Sequence, residues 1–479
     1  MATDLDPADW PAFRTQAHQM LDNALDYIEH IRERPVWQAI PGEVRDRFRE
    51  AVPRAPSGLA EVHGKFLNDI LPYAAGNTHP GFMGWVHGGG TPVGMLAEML
   101  AAGLNANLGG RNHAPIETER QLLAWTRDLF GFPATASGLF VTGTSAANFI
   151  GVLVARTRAL GPAVRSQGLA ALGHRLTAYV STAAHGCIAR AMEMAGLGRE
   201  QLRLIPVDAG HRIRLPALRQ AIAADKAAGL QPFLLIGTAG TVDVGAIDDL
   251  PALADLAAAE SLHFHIDGAF GALAMLSPDL APLLNGIERA DSLGFDWHKW
   301  GQVPYDAGFL LVRDGELHRQ TFAAEAAYLR RDERGLAGGA WWPCDYGPDL
   351  SRGFRALKTW FTLKTYGADA IGRSIAGTVA LAQRLAARVA AEPELELLAP
   401  VPLNIVCFGY RAGDADRLNA EIVADLHEAG RVAPSLTTVN GRTAIRAAIV
   451  NHRTAPDDVE ALVRSVLTLG RARRALRAA

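Results

Sequence analysis

The sequence predicts an α/β protein with a mostly parallel sheet of seven strands. Seven short apolar runs are the candidate strands: Leu139–Thr142, Ala178–Ser181, Leu202–Val207, Phe233–Gly237, Leu262–Asp267, Ser292–Phe295 and Gly308–Val312. Helical patterns such as Ala146–Ala159 and Leu215–Ala228 lie between most of them. Strands that alternate with helices favour a parallel sheet covered on both faces, and such sheets bind ligands at the carboxyl ends of their strands.

The two ends of the chain predict smaller, helix-rich parts. Residues 12–32 carry apolar side chains at helical spacing, and little neighbouring sequence is available to cover that stripe. After residue 351 a long helical region breaks near Gly367, and two candidate strands then flank a helix between residues 404 and 450. We therefore expect an N-terminal helical segment over residues 1–90, a large domain over 91–365 and a small C-terminal α+β domain over 366–479.

Composition narrows the class of protein. The 479 residues are 49% hydrophobic and 20% charged, as in ordinary globular proteins. A net charge of −3 argues against nucleic acid as a partner. The three cysteines lack the spacing of a disulfide framework or a zinc site, so no metal is expected. The acidic N-terminus and the lack of a membrane-length apolar run lead us to expect a cytoplasmic protein without a membrane partner.

Lysine is rare in this chain. Only five of the 47 basic residues are lysine, at positions 65, 226, 299, 358 and 364. Arginine supplies the remaining charge, but it cannot serve where an amine must lose its proton. Lys299 lies between His298 and Trp300 after a candidate strand, a setting that can lower the pKa of its amine and make it nucleophilic. The alternative is a lysine that extends into solvent at the sheet edge.

Two further strand ends carry polar residues. The sequence GTSAAN at 143–148 opens a helix, where free backbone N–H groups and the hydroxyls of Thr144 and Ser145 suit a phosphate. The alternative is simple capping of that helix. His185 follows the next strand and can stack on a flat ligand, although on its own a capping or merely polar histidine is the simpler interpretation.

A carboxylate follows another buried-type strand. Asp267 ends that strand and needs a cationic partner, whereas His263 and His265 within it are best explained by packing, because no third metal ligand follows at suitable spacing. The phosphate site, the flat-ring stacker, the carboxylate and the lysine thus lie at successive strand ends. Pyridoxal phosphate requires these four features together.

These residues resemble one known family, the group II pyridoxal-phosphate-dependent amino-acid decarboxylases, which include aromatic-L-amino-acid and glutamate decarboxylases. The similarity covers most of the chain. The stretches that carry it are HP (79–80), GTSAAN (143–148), HIDGAF (265–270), HKW (298–300), SRGFRALKTW (351–360) and IRAAIVNHRT (445–454). The HKW motif with the upstream acidic residue is specific for this type of fold.

The resemblance implies a role for each matching residue. Lys299 would bind the cofactor covalently, Asp267 would pair with the ring nitrogen, and His185 would stack on the ring. The residues implied to hold the phosphate or line the ring are Thr144, Ser145, His298, Thr241 and Ala269. Arg446 corresponds to an arginine that the family keeps near the substrate. The implied fold is the aspartate-aminotransferase type, fold type I, with N-terminal helices wrapped around a partner in a homodimer with shared active sites.

The implied activity is decarboxylation of an L-amino acid to an amine and carbon dioxide. In this family a tyrosine on a flexible loop protonates the reacting carbon. The corresponding segment here, residues 329–343, contains no tyrosine, and Tyr346 after it is the candidate acid. Because loss of this acid can divert the reaction towards an aldehyde, an aldehyde synthase or another carbon–carbon lyase is an alternative.

The segments expected to face the substrate indicate two different classes of substrate. Trp85, with His87 beside it, favours an apolar or aromatic substrate side chain. Asn107 resembles the glutamate-type members, and Arg111 can accept a second carboxylate or form a salt bridge at a subunit interface. We expect an aromatic L-amino acid, with an acidic amino acid as the alternative. A protein that binds the cofactor without catalysis is disfavoured by the joint presence of the lysine, the carboxylate and the stacking histidine.

Overall fold

The computed structural model of the protein describes residues 5–172, 175–323, 331–339 and 341–478. The helices are α1 (Trp10–Glu29), α2 (Gly42–Arg47), α3 (Leu59–Lys65), α4 (Pro92–Leu104), α5 (Ala114–Phe130), α6 (Thr144–Leu160), α7 (Val164–Leu172), α8 (Cys187–Met194), α9 (Leu215–Ala227), α10 (Leu250–Glu260), α11 (Gly315–Phe322), α12 (Arg355–Tyr366), α13 (Ala368–Ala390), α14 (Ala415–Ala429) and α15 (Pro456–Ala478). The strands are β1 (Phe82–Met83), β2 (Ser137–Val141), β3 (Leu176–Ser181), β4 (Leu202–Ile205), β5 (Gln231–Thr238), β6 (His263–Asp267), β7 (Ser292–Asp296), β8 (Gly308–Val312), β9 (Leu395–Leu397), β10 (Ile405–Tyr410), β11 (Ala433–Val439) and β12 (Arg442–Ala448).

The large sheet has the strand order β2-β8-β7-β6-β5-β3-β4. Neighbours from β7 through β4 are parallel, whereas β8 runs antiparallel to both β2 and β7. Every residue of β2, β3, β6, β7 and β8 is buried, as expected of strands with helices packed on both faces. The predicted α/β fold with a mostly parallel seven-stranded sheet is confirmed.

The carboxyl ends of the parallel strands meet at one edge of this sheet. Thr238 at the end of β5 is directly opposite Asp267 at the end of β6, and Asp267 is opposite Gly294 of β7. Strand β2 points the same way, because it and β7 are both antiparallel to β8. Residues that follow β2, β5, β6 and β7 are therefore brought to a common site.

A second sheet lies in the C-terminal part, with the order β1-β11-β12-β10-β9. The strands predicted between residues 404 and 450 are present as β10 and β12, and Gly367 separates α12 from α13 with a φ of 78°. Residues 82 and 83 were expected to belong to the N-terminal helical segment, yet they form strand β1, in which Phe82 pairs in parallel with Ala433 of β11. The N-terminal segment therefore contributes a strand to the C-terminal sheet.

The N-terminal helix α1 has an apolar stripe that no described part of the chain covers. None of its residues is buried, and Trp10 is 51% exposed. Phe13 and Met20 on the same helix are also exposed. The described residues of the chain therefore do not supply the packing that this amphipathic helix requires.

Two further findings concern the described part of the chain as a whole. No helix in those ranges is both long enough and apolar enough to span a membrane. Within the same ranges, histidine, cysteine, aspartate and glutamate side chains do not gather in groups of three or more that could hold a metal ion.

Candidate active site

A cavity of about 440 Å³ opens at the carboxyl edge of the large sheet. Most of the side chains expected to act in one site are found in its wall. The predicted residues that line it are Trp85, His87, Thr144, Ser145, His185, Asp267, Ala269, His298, Lys299 and Arg446. They come from distant parts of the sequence and are brought together because the parallel strands end at the same edge.

Lys299 follows the last residue of β7 by one short turn. Its Nζ lies 2.8 Å from Oδ2 of Asp296. The other oxygen of this carboxylate, Oδ1, accepts the backbone N–H of Thr144 at 2.7 Å. Asp296 is only 2% exposed, so a buried carboxylate joins the amine to the N-terminus of α6. Asp296 was not predicted as a site residue, although a carboxylate at the end of a buried strand and three residues before the lysine was a usable signal.

The pKa of the Lys299 amine differs from the expectation. Burial lowers the pKa of its amine, but the carboxylates of Asp296 and Asp267 oppose that effect and raise the pKa above its ordinary value. The lowering of the pKa that the sequence suggested is therefore wrong. The neighbours considered in the sequence, a histidine and a tryptophan, suggested an apolar setting, whereas the partner that dominates is Asp296.

Asp267 is 4% exposed, and each of its two oxygens accepts one hydrogen bond. Its Oδ2 accepts the side-chain amide of Asn148 at 3.0 Å, and its Oδ1 accepts the backbone N–H of Ala269 at 3.1 Å. Burial raises the pKa of this carboxyl, while the nearby charge of Lys299 acts in the opposite direction. The site thus places a buried carboxylate close to the amine, where a cationic ring nitrogen can pair with it.

The start of α6 offers donors for an anion. The hydroxyl Oγ1 of Thr144 is buried and has no hydrogen-bond partner among the described residues, and Ser145 beside it is exposed to the cavity. His298 accepts the N–H of Ala307 on Nδ1 at 3.0 Å, so its proton lies on Nε2, 3.6 Å from Asp296. Burial lowers the pKa of His298 and keeps the ring neutral. These groups suit a phosphate.

His185 lies just before α8 and presents an exposed ring to the cavity. Its Nδ1 accepts the backbone N–H of Cys187 at 3.2 Å, which fixes the ring relative to the helix. A flat ring near the start of a helix and across from a buried carboxylate can clamp an aromatic ligand. The lysine, the carboxylate, the phosphate donors and this ring together fit pyridoxal phosphate.

An aromatic wall forms the outer part of the cavity. The ring of His87 stacks on Trp85 with centroids 5.8 Å apart and on Phe82 at 5.7 Å. Tyr305 meets His87 edge-on at 5.9 Å and packs on His298 at 4.3 Å. Tyr305 was not predicted, because it follows the lysine motif in a loop that has no periodic pattern.

Arg446 is hydrogen-bonded to the backbone of this aromatic wall. Its guanidinium donates to the backbone carbonyls of Trp85 at 3.2 Å and Val242 at 3.1 Å, and to the hydroxyl of Ser435 at 3.2 Å. Trp85 has a φ of 47°, a left-handed conformation that is uncommon for a bulky residue. The bond from Arg446 therefore helps to hold a strained residue in the cavity wall.

Two predicted substrate residues do not line the cavity that this chain forms. Asn107 uses its Oδ1 to accept the backbone N–H groups of Gly109 at 2.9 Å and Arg352 at 3.0 Å, which orders a loop. The guanidinium of Arg111 lies over the ring of Trp342, 4.6 Å from its centroid. Within a single chain both side chains are used for local structure.

Two other predicted residues also lie outside the cavity wall. Thr241 is fully buried, and its hydroxyl accepts the N–H of Ala246 at 2.9 Å within a turn. Tyr346 packs edge-on against His318 at 5.2 Å and lines a different cavity of about 1420 Å³ beside α5 and α11. Tyr346 does not reach Lys299 within its own chain. Part of the preceding loop, namely residues 329, 330 and 340, lies outside the described residues.

Comparison with known proteins identifies the family. Residues 41–411 match the family model described as the pyridoxal-dependent decarboxylase conserved domain. An aromatic-L-amino-acid decarboxylase of Bacillus atrophaeus is 31% identical over 467 residues, which cover 95% of each chain. A phenylacetaldehyde synthase of Arabidopsis thaliana is 28% identical over 464 residues, 93% of each chain. The solved structure of Oryza sativa TDC with PLP and tryptamine has a TM-score of 0.89 at 25% identity and covers 98% of this chain and 99% of its own. The chain belongs to the pyridoxal-dependent decarboxylase family.

Proposed function

We propose that the protein decarboxylates an aromatic L-amino acid to the corresponding amine and carbon dioxide. The observation that carries this proposal is the single cavity in which Lys299, Asp267 and His185 meet behind an aromatic wall. The names of the curated relatives support the same activity, since they include aromatic-L-amino-acid, tryptophan and tyrosine decarboxylases.

The residues at the inner end of the cavity would bind the cofactor, each through a different part of it. Nζ of Lys299 would hold pyridoxal phosphate covalently, and the start of α6 with His298 would bind its phosphate. Asp267 would keep the ring nitrogen protonated, and His185 would fix the plane of the ring. The bound cofactor supplies an acceptor for the electron pair that remains when the carboxyl group leaves as carbon dioxide.

The outer cavity favours an aromatic substrate side chain. Trp85, His87 and Tyr305 offer ring faces and edges against which another ring can pack. Arg446 is 3% exposed, and within the described ranges no carboxylate lies at ion-pair distance from it. A buried cation with only neutral acceptors is stabilised by an anionic ligand, so we assign Arg446 to the substrate carboxylate. The alternative of an acidic substrate has weaker support, because Arg111 packs on Trp342.

The product can be an aldehyde instead of an amine, and one observation favours keeping this second candidate. Tyr346 lies away from the cavity, and Tyr305 is the tyrosine in the wall among the described residues. A relative is named phenylacetaldehyde synthase. The identity of the acid that protonates the reacting carbon therefore decides between the two products.

A panel of amino acids tests both candidates in one experiment. With phenylalanine, tyrosine, tryptophan and glutamate as substrates, we expect carbon dioxide and the matching amine from the aromatic members, at least about tenfold faster than from glutamate, because one buried polar mismatch costs that much or more. Hydrogen peroxide and aldehyde are measured in the same samples. Equal amounts of aldehyde and carbon dioxide would instead establish the synthase, and release from glutamate alone would contradict the aromatic assignment.

The ion pair of Asp296 with Lys299 is expected to make cofactor attachment depend on pH. The amine of Lys299 must be neutral to react, and its raised pKa keeps it protonated at neutral pH, so attachment should accelerate as the pH rises. Asp296→Asn removes the largest favourable charge while keeping an oxygen that can accept the Thr144 N–H. We expect attachment at neutral pH to become about tenfold faster, with its pH profile moved to lower pH. Stopped-flow absorbance of the apoprotein mixed with pyridoxal phosphate measures both, and identical profiles would contradict the role of Asp296.

We also propose that the chain acts as a homodimer with shared active sites. The uncovered stripe of α1, with Trp10, Phe13 and Met20 exposed, supports a second copy as its partner. In such a dimer the loops that carry Asn107, Arg111 and Tyr346 can complete the cavity of the other subunit. The division into segments 1–90, 91–365 and 366–479 belongs to the same proposal, with the strand β1 as the part of the first segment that joins the third.

A further inference from the structure

A line of buried polar groups runs from Asp267 away from the cavity. The amide nitrogen of Asn148 lies 3.0 Å from Asp267, and its oxygen lies 2.8 Å from Nε2 of His265. Nδ1 of His265 lies 2.8 Å from the hydroxyl of Ser292, which lies 2.8 Å from Nε2 of His263. All four side chains beyond Asp267 are at most 1% exposed. Both histidines were expected from the sequence to serve packing alone.

The direction of every bond in this line follows from Asp267. A carboxylate can only accept, so the amide nitrogen of Asn148 faces it and the amide oxygen faces His265. His265 must then donate from Nε2, which leaves Nδ1 to accept from the hydroxyl of Ser292. The oxygen of Ser292 accepts in turn from Nε2 of His263. Each donor is thus oriented toward the cofactor side.

Both histidines are neutral, as this order of donors requires. Burial lowers the pKa of His265 to about 3, with His263 nearby contributing in the same direction. Burial likewise lowers the pKa of His263 to about 4. A neutral imidazole has one donor and one acceptor nitrogen, and its tautomer is set by the partner of the second nitrogen. For His265 that partner is Ser292.

The packing of α6 leaves room for this ring. Gly151 lies on the helix that begins at the phosphate site, one turn after Asn148. A Cβ atom at position 151 would lie 2.9 Å from both Cε1 and Nδ1 of His265. Such a contact is too short for any side chain, so a glycine is needed for His265 to reach Asn148.

We propose that His265 is a positioning residue for the cofactor: its Nε2–H, fixed in that tautomer by Ser292, holds the amide of Asn148 against Asp267 and so aims the carboxylate at the ring nitrogen. The inference rests on the proposed cofactor at Lys299 but not on which amino acid is decarboxylated. Without Ser292, His265 can take the other tautomer, and its Nε2 lone pair then repels the oxygen of Asn148. The amide would rotate and leave one oxygen of Asp267 without its donor.

The affinity for pyridoxal phosphate tests this proposal without any substrate. Ser292→Ala in the full chain should raise the dissociation constant of pyridoxal phosphate about tenfold. This is the size of effect expected when a buried charged acceptor loses a donor. In a His265→Gln background the same change should have no further effect, because the glutamine amide donates to Asn148 without help from Ser292. The constants are measured by fluorescence titration of the apoprotein with pyridoxal phosphate.

A matched control separates this role from loss of packing. Ser137 is also buried, and its hydroxyl lies 2.8 Å from Nδ1 of the buried His318, outside the cavity wall. Ser137→Ala removes the same kind of bond and should leave the affinity unchanged. Equal losses for the two alanine variants, or the same loss from Ser292→Ala in both backgrounds, would overturn the proposal. A wild-type chain that does not bind pyridoxal phosphate would contradict the proposed function instead.

Discussion

Replacement of Lys299 by arginine is expected to abolish carbon dioxide release and the visible absorbance of covalently bound cofactor. Arginine keeps a positive charge that Asp296 can pair with, but it does not lose its proton at any accessible pH. In the wild type, Nζ of Lys299 lies 2.8 Å from the carboxylate of Asp296. The variant therefore keeps a cation beside this carboxylate while it removes the nucleophile. We expect pyridoxal phosphate to bind only reversibly, so that gel filtration strips it from the protein. Absorbance spectra before and after filtration, together with an assay of carbon dioxide, measure the two effects.

A second buried lysine provides the control for this experiment. Lys358 is 2% exposed and pairs with Glu98 at 2.9 Å, outside the cavity wall. Lys358→Arg makes the same chemical change at another lysine–carboxylate pair, and it should leave both the turnover and the absorbance close to those of the wild type. If Lys299→Arg retains covalent cofactor while Lys358→Arg loses it, the assignment of the cofactor-binding lysine is wrong.

The local patterns of the sequence were enough to place most of the large sheet. Strand β8 was predicted with the bounds that the structure has, and the other six strands were predicted within two residues at each end. Apolar runs between helical patterns carry this information, because both faces of such strands are buried. Strand β11 was missed because only part of it is buried, so Ala433–Val439 lacks a continuous apolar run. The two residues of β1 are too few to form any pattern.

The cavity was predicted to the extent that its residues carry their own signal. Lys299, Asp267 and the start of α6 each follow a strand, and the rule for strand ends brings them together. The partners of these residues are set by tertiary contacts. The pairing of Asp296 with both Lys299 and Thr144 joins positions more than 150 apart in the sequence. The raised pKa of the lysine follows from the carboxylate of Asp296, which lies only three residues before it in the chain but was not considered as its partner.

The residues that failed to reach the cavity have a common physical explanation. Asn107 and Arg111 lie on a loop, and their side chains are used by the backbone of Gly109 and Arg352 and by the ring of Trp342. A residue type shows which interactions are available, but the fold decides which of them is made. For Tyr346 the ring packs on His318 of the neighbouring helix.

Asp267→Asn is expected to lower turnover by a factor on the order of 10² to 10³, the cost of removing one preorganised electrostatic group. The asparagine has the same shape, and its oxygen can still accept the N–H of Ala269, but it has no charge to pair with a protonated ring nitrogen. The loss should appear in kcat more than in KM, because the charge of Asp267 would stabilise the cofactor ring more strongly in the transition state than in the ground state. Asp225→Asn serves as the matched control, since Asp225 is buried and bonded to Tyr179 and Arg203 outside the cavity wall. It should cost stability while it leaves kcat per folded molecule unchanged. If instead Asp267→Asn raised KM alone, the carboxylate would be a binding group, and the protonation of the ring nitrogen would have to be maintained by another residue.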